Sequence, residues 1–184
     1  MPRKQHSFLE AVQISATLLF VLFAVKAVEG FAHISLAGFG IVPRTPHGLI
    51  GIAFSPLLHG NIMHLLANAV PLFVLLIFLF WDRHYYPKLT LFLIWTASGL
   101  GTWLIGRGRS VHIGASSVIF GLVTYLMVAG VLMKSWRSAF VAMFVALCFG
   151  GILYGVLPST GPVSWEGHLC GAIAGVWAAY RNHD

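Results

Sequence analysis

The feature that most limits what this chain can fold into is how seldom its apolar runs are interrupted. From residue 11 to residue 180 the sequence is one apolar stretch after another, separated by short polar or proline- and glycine-bearing loops. Only 9% of the 184 residues are charged and 58% are hydrophobic. Soluble domains carry roughly 25% charged residues. So few charges cannot cover a water-facing surface of this size, so most of the surface must face lipid. A bilayer core of about 30 Å takes about 20 apolar residues in a helix. On that scale six spans are expected, at residues 11–31, 57–80, 89–106, 115–133, 139–157 and 165–180. The expected fold is all-α: one domain, residues 1–184, forming a polytopic bundle of six transmembrane helices.

The net charge of +6 does not mark a nucleic-acid surface, because the basic residues lie between the spans and not in one patch. MPRK at the start, WDRHYYPK (81–88), KSWR (134–137) and RNHD (181–184) are all basic. Placing them on one cytoplasmic side follows the bias of cytoplasmic loops toward Lys and Arg. Both termini are then cytoplasmic, in a multi-pass protein expected in a bacterial inner membrane. Arg107 and Arg109, on the other side, read as headgroup contacts. Cys148 and Cys170 both fall in apolar segments and read as packing residues, not a disulfide. There is no internal repeat.

Polar side chains inside the hydrocarbon region are costly and point to function. Span two contains HGNIMHLLAN, with His59, His64 and Asn68; span four opens with Gly114, Ser116 and Ser117; span six contains WEGHLCGAIAG, with His168. With the N-terminus inside, these three spans all run from outside to inside. At about 1.5 Å per residue, Ser116 lies roughly 27 Å above Lys134, His64 roughly 26 Å above Trp81 and His168 roughly 20 Å above Arg181. All three fall in the outer third of the bilayer, where one pocket could hold them.

A serine hydroxyl needs a neighbouring base to become a nucleophile, and His168 is the candidate base for Ser116. Gly167, Gly171 and Gly175 form a small-residue ridge that would let spans four and six pack closely. Acyl transfer also needs donors aimed at the developing oxyanion. His64 and Asn68 share one helix face, and the first turn of span four offers free backbone N–H groups. Gly114 keeps that turn open to a substrate backbone, and Phe120 is a candidate wall for the imidazole. Glu166, two residues before His168, points elsewhere, so a Ser–His dyad without an acid is expected. Ser117 reads as a helix-internal hydrogen-bonding serine, His59 as an interfacial or anchoring residue, and His112 as ordering its loop.

In these residues the chain resembles the rhomboid intramembrane serine proteases. HGNIMHLLAN is similar to the family's helix-two motif, with His59, His64 and Asn68 in register. GAS at 114–116 is similar to its nucleophile motif, and GHLCGAIAG to its helix-six motif, with His168 followed by Gly171 and Gly175. The resemblance implies a Ser116–His168 dyad and an oxyanion hole of His64, Asn68 and the Ser116 N–H. It also implies cleavage of transmembrane protein substrates near the outer membrane face, without metal or other cofactor, with entry past helix five and the loop at 158–164. The chain departs from the family at Ser117, where Gly is common, and at Gly167, where Ala is usual. Its first outer loop is short and lacks a Trp-Arg pair. Two other readings are a non-catalytic rhomboid-like adaptor for transmembrane clients, which would lack the serine or histidine, and a haem-binding bundle, which leaves Ser116 and Asn68 unexplained.

Overall fold

The computed structural model describes residues 7–161 and 163–183; the MPRK anchor lies outside them. Among the described residues the protein is all-helical, with seven α-helices and no strand beyond one isolated bridge. They are α1 (Phe8–Ala32), α2 (Ile50–Phe54), α3 (Ile62–Trp81), α4 (Pro87–Ile105), α5 (Ser116–Leu132), α6 (Trp136–Phe149) and α7 (Trp165–His183). Four segments are long and apolar enough to cross a membrane: Phe8–Ala32, Ile62–Trp81, Arg83–Ile105 and Trp136–Val156. The fourth and sixth expected spans, α5 and α7, are the two whose surfaces are given mainly to other helices.

Helix ends follow local chemistry. Ser7 and Glu10 form a reciprocal capping box on α1. Pro87 opens α4, where its missing N–H costs nothing. Span two begins five residues later than the apolar pattern predicts: Leu57 extends the greasy run, but Asn61 is the cap, its side chain accepting from His64 N at 2.8 Å. His59 therefore sits ahead of α3 and not on it. The first loop is also more built than expected, since residues 33–61 fold into α2 and short 3₁₀ turns. Span five divides at Phe149, beyond which Gly150–Val156 continues as a 3₁₀ run with no buried residue. Two consecutive glycines there weaken the α-helix.

α5 is the axis of the bundle. Eleven of its residues are buried, from Val118 to Gly130, and its most extensive partner is α7, followed by α6; α4 packs on α7, and α1 on α3. A side chain at Gly171 would collide with the Ser117 carbonyl, and one at Gly175 with the Gly121 carbonyl. The small-residue ridge of α7 is thus in direct backbone contact with α5, the close approach that such ridges permit. Thr124 Oγ1 donates across the seam to Ala172 O at 2.8 Å. At one end of the bundle Tyr125 donates to Tyr85 O at 2.7 Å and meets His183 Nε2 at 3.1 Å, while Asn182 donates to Thr90 at 2.8 Å. Cys170 faces Gly101 in the α4–α7 contact; Cys148 is exposed on α6, and the two thiols are free.

The two ends differ in how they use basic residues. Arg83, Lys88, Lys134, Arg137 and Arg181 flank helix ends at the Tyr125 end. At the other end Lys26 donates to His59 O at 2.8 Å and Arg44 donates to Leu104 O and Gly106 O at 2.9 Å each. Those cations hold the fold and are not laid out as a surface.

Candidate active site

Ser116 is the first residue of α5, and a specific backbone path brings it there. Gly114 has φ +117°, a region L side chains seldom occupy, and a Cβ there would lie 2.7 Å from the His64 ring. Its N–H donates to Ser55 O at 2.8 Å. Upstream, His112 and Ile41 exchange both backbone hydrogen bonds, at 2.8 and 3.0 Å, which ties the start of α5 to the first loop. Ala115 N–H faces His59 Nε2 at 3.5 Å, and His59 is edge-on to His64 with ring centroids 5.1 Å apart. His59 thus buttresses the turn that presents Ser116.

The Ser116 hydroxyl lies 3.0 Å from His168 Nε2. The other ring nitrogen, Nδ1, is 3.0 Å from Gly155 O. A carbonyl oxygen can only accept, so Nδ1 carries the hydrogen and Nε2 is left as the acceptor for the serine proton. A backbone carbonyl therefore does the orienting that a carboxylate does in a Ser–His–Asp triad. Phe120 stacks on the His168 ring with centroids 4.0 Å apart and planes 12° apart, so ring rotation is blocked from one face.

His64 and Asn68 rise from α3 onto the same cavity, which encloses about 650 Å³ and also receives Ser116, Phe120 and His168. Asn68 donates to His64 O at 3.0 Å, leaving its second amide hydrogen uncommitted by that bond. Since α5 begins at Ser116, the N–H groups of its first turn have no acceptor inside the helix. The residues singled out in the sequence, Ser116, His168, His64, Asn68, His59, Gly114 and Phe120, are all brought together here. Gly171 and Gly175 lie below, where α7 touches α5.

The cavity mouth holds groups that sequence reasoning assigned elsewhere. Arg107, read as a headgroup contact, instead forms an ion pair with Glu166, Nε to Oε1 at 2.8 Å, and donates to Val163 O at 2.7 Å and Gly161 O at 3.1 Å. Its GRGRS loop gives no hint of that, because the partners are two backbone carbonyls and an acid far along the chain. His112 makes a second Ser–His contact: Nδ1 is 2.5 Å from Ser164 Oγ and Nε2 is 3.0 Å from Ser110 Oγ. Burial pushes the His112 pKa below the usual imidazole range, keeping the ring neutral at pH 7. His112 does order its loop, as the sequence suggests.

This is a helical membrane protein with a serine, an imidazole and amide donors gathered in one cavity. The family model of the Rhomboid domain matches residues 46–183, and the chain belongs to that family. An uncharacterized protein of Mycobacterium bovis is 40% identical over 172 residues, covering 89% of this chain and 72% of its own length. An uncharacterized protein of Mycobacterium leprae is 39% identical over 175 residues, with 89% and 68% covered. A protein of Acanthamoeba polyphaga mimivirus named as a rhomboid protein is 32% identical over 124 residues, with 64% and 66% covered. No solved structure matches the chain.

Proposed function

We propose that this rhomboid-family chain is an intramembrane serine endopeptidase that cleaves transmembrane segments of client membrane proteins near the outer membrane face. The observation that carries the reading is the Ser116 Oγ to His168 Nε2 hydrogen bond at 3.0 Å, with Nδ1 held on Gly155 O. Ser116 attacks the scissile carbonyl as its proton passes to Nε2. The carbonyl oxygen becomes an oxyanion facing the Ser116 N–H, His64 and Asn68. As the C–N bond breaks, His168 returns the proton to the leaving amine. A water then gives a proton to His168 and attacks the acyl-enzyme; as the ester bond breaks, His168 passes that proton to Ser116 Oγ, which releases the new carboxyl terminus and restores the serine.

The membrane orientation that goes with this reading puts the Tyr125 end in the cytoplasm. Lys88, Lys134, Arg137 and Arg181 flank helix ends there as exposed cations, which agrees with cytoplasmic retention of Lys and Arg. Both termini are then inside, and water reaches the cavity from the outer face between the loops that carry Arg107 and Ser164. The test is labelling of the purified chain with a serine-reactive fluorophosphonate. Wild type is expected to label and Ser116→Ala is not; equal labelling of the two sinks the assignment of Ser116.

A further inference from the structure

His168 is held by partners of unequal firmness. On one side its ring bonds Gly155 O, within the 3₁₀ run Gly150–Val156 that buries none of its residues. That partner is soft. On the other side, the first turn of α7 is pinned by Glu166, which is only 2% exposed and paired with Arg107. Glu166 precedes His168 by two residues, about 200° around the helix, so it grips the face of the turn opposite the imidazole. Turning His168 away from Ser116 would drag the buried carboxylate off its cation, leaving an uncompensated charge, which is strongly unfavourable.

Arg107 suits this task because its Nε faces the carboxylate at 2.8 Å, an ion pair without a hydrogen bond, while its two terminal nitrogens donate to the carbonyls of Gly161 and Val163. A lysine could supply the charge but not the planar fork. The same turn is capped by Ser164, whose Oγ accepts from Gly167 N at 3.2 Å. We infer that Arg107, acting through Glu166, is a positioning residue for the base: it sets the rotation and height of the first turn of α7, and with them the distance from His168 to Ser116. The inference rests on the dyad reading above.

The test uses the full chain in detergent micelles, as wild type, Arg107→Lys, Arg107→Gln, Glu166→Gln and the Arg107→Gln/Glu166→Gln double variant. Four quantities are read: kcat and KM on a transmembrane model substrate, the rate of fluorophosphonate labelling at Ser116, and the ¹⁵N shifts of the His168 ring. Misplacement of a catalytic group by about 1 Å can cost about 100-fold, and a loss of kcat and labelling approaching that size is expected for Arg107→Gln and Glu166→Gln, with KM little changed. The double variant should lose no more than the worse single variant, since both break one contact. Arg107→Lys, which keeps the cation and protects the fold, should fall between, with a shifted His168 resonance. Wild-type labelling rates and unmoved ring shifts in Arg107→Lys and Glu166→Gln would overturn the inference. So would faster turnover with a lowered KM, which would make Arg107 a latch on the substrate path. If wild type itself does not label, the protease reading fails, while the His168 shifts still decide whether Arg107 positions that ring.

Discussion

Two serine–histidine contacts share one cavity in this protein, and the difference between them does not lie in the imidazole. Ser116 meets Nε2 of His168, and the spare nitrogen of that ring is satisfied by a carbonyl. Ser164 meets Nδ1 of His112, and the spare nitrogen there faces Ser110, whose hydroxyl donates to Arg107 O at 2.6 Å. With that hydroxyl proton spent, His112 Nε2 must donate and Nδ1 must accept, so each imidazole is set to take a serine proton. What separates the pairs is the serine's surroundings. Ser164 Oγ is already the cap of α7 and accepts from Gly167 N. Ser116 stands at the head of α5, beside unpaired first-turn amides, His64 and Asn68. A base makes a serine nucleophilic, but only the second setting can stabilise the oxyanion that attack creates.

The largest effect that could break this comparison is expected at Ser116 itself. Ser116→Ala should abolish cleavage and fluorophosphonate labelling while the melting temperature stays near wild type, because the hydroxyl holds no structural bond but the one to His168. Labelling that persists and maps to Ser164 would invert the roles of the two pairs. Next comes Gly171→Val. Its side chain cannot be accommodated without moving α7 off the Ser117 carbonyl, and overpacking of this kind typically costs about 1–3 kcal/mol. It should separate the inner pair, with activity falling close to background, and leave the loop-borne outer pair intact. Near-normal activity in that variant would mean that the helix contact does not set the Ser116–His168 distance.

Much of the inner site was legible beforehand because polar residues are conspicuous in an apolar chain. Counting back from basic anchors placed Ser116, His64 and His168 at similar depth, and the structure gathers them in one cavity. The small-residue spacing of Gly171 and Gly175 foretold the α5–α7 contact, and Phe120 one turn after Ser116 foretold the stacked ring. The partner of His168 Nδ1 was not legible, since Gly155 contributes a carbonyl that every residue possesses. The outer pair was missed for a different reason: His112 and Ser164 sit in loops 52 residues apart, where no periodicity connects them. Arg107 looked like a headgroup residue because it stands in a loop and its acid, Glu166, lies far along the chain on α7. Apolar pattern also overran the true start of α3, since hydropathy continues through Leu57 whereas the helix waits for the Asn61 cap.

A sharper version of the comparison removes an oxyanion donor and keeps both pairs. Asn68→Ala deletes an amide on the Ser116 side of the cavity, and loss of one such donor typically lowers kcat about 100- to 1000-fold. The expectation is a fall of that order in kcat with slower labelling of Ser116, read in the same assay. An unchanged kcat would take Asn68 out of the oxyanion site and leave the contrast between the two serines resting on the α5 amides and His64.

The smallest effect is expected at Ser164, and it is the most discriminating. Ser164→Ala removes the cap on α7, a loss that typically costs about 0.5–2 kcal/mol of stability. It also leaves His112 Nδ1 without its donor. Both penalties fall on folding, since Ser116, His168 and Gly155 keep their mutual bonds. A lowered melting temperature with kcat within a few-fold of wild type is therefore expected. Complete loss of cleavage in a folded Ser164→Ala variant that still labels at Ser116 would give the outer pair a chemical part in turnover, after acylation, and the division between a reacting serine and a capping serine would no longer hold.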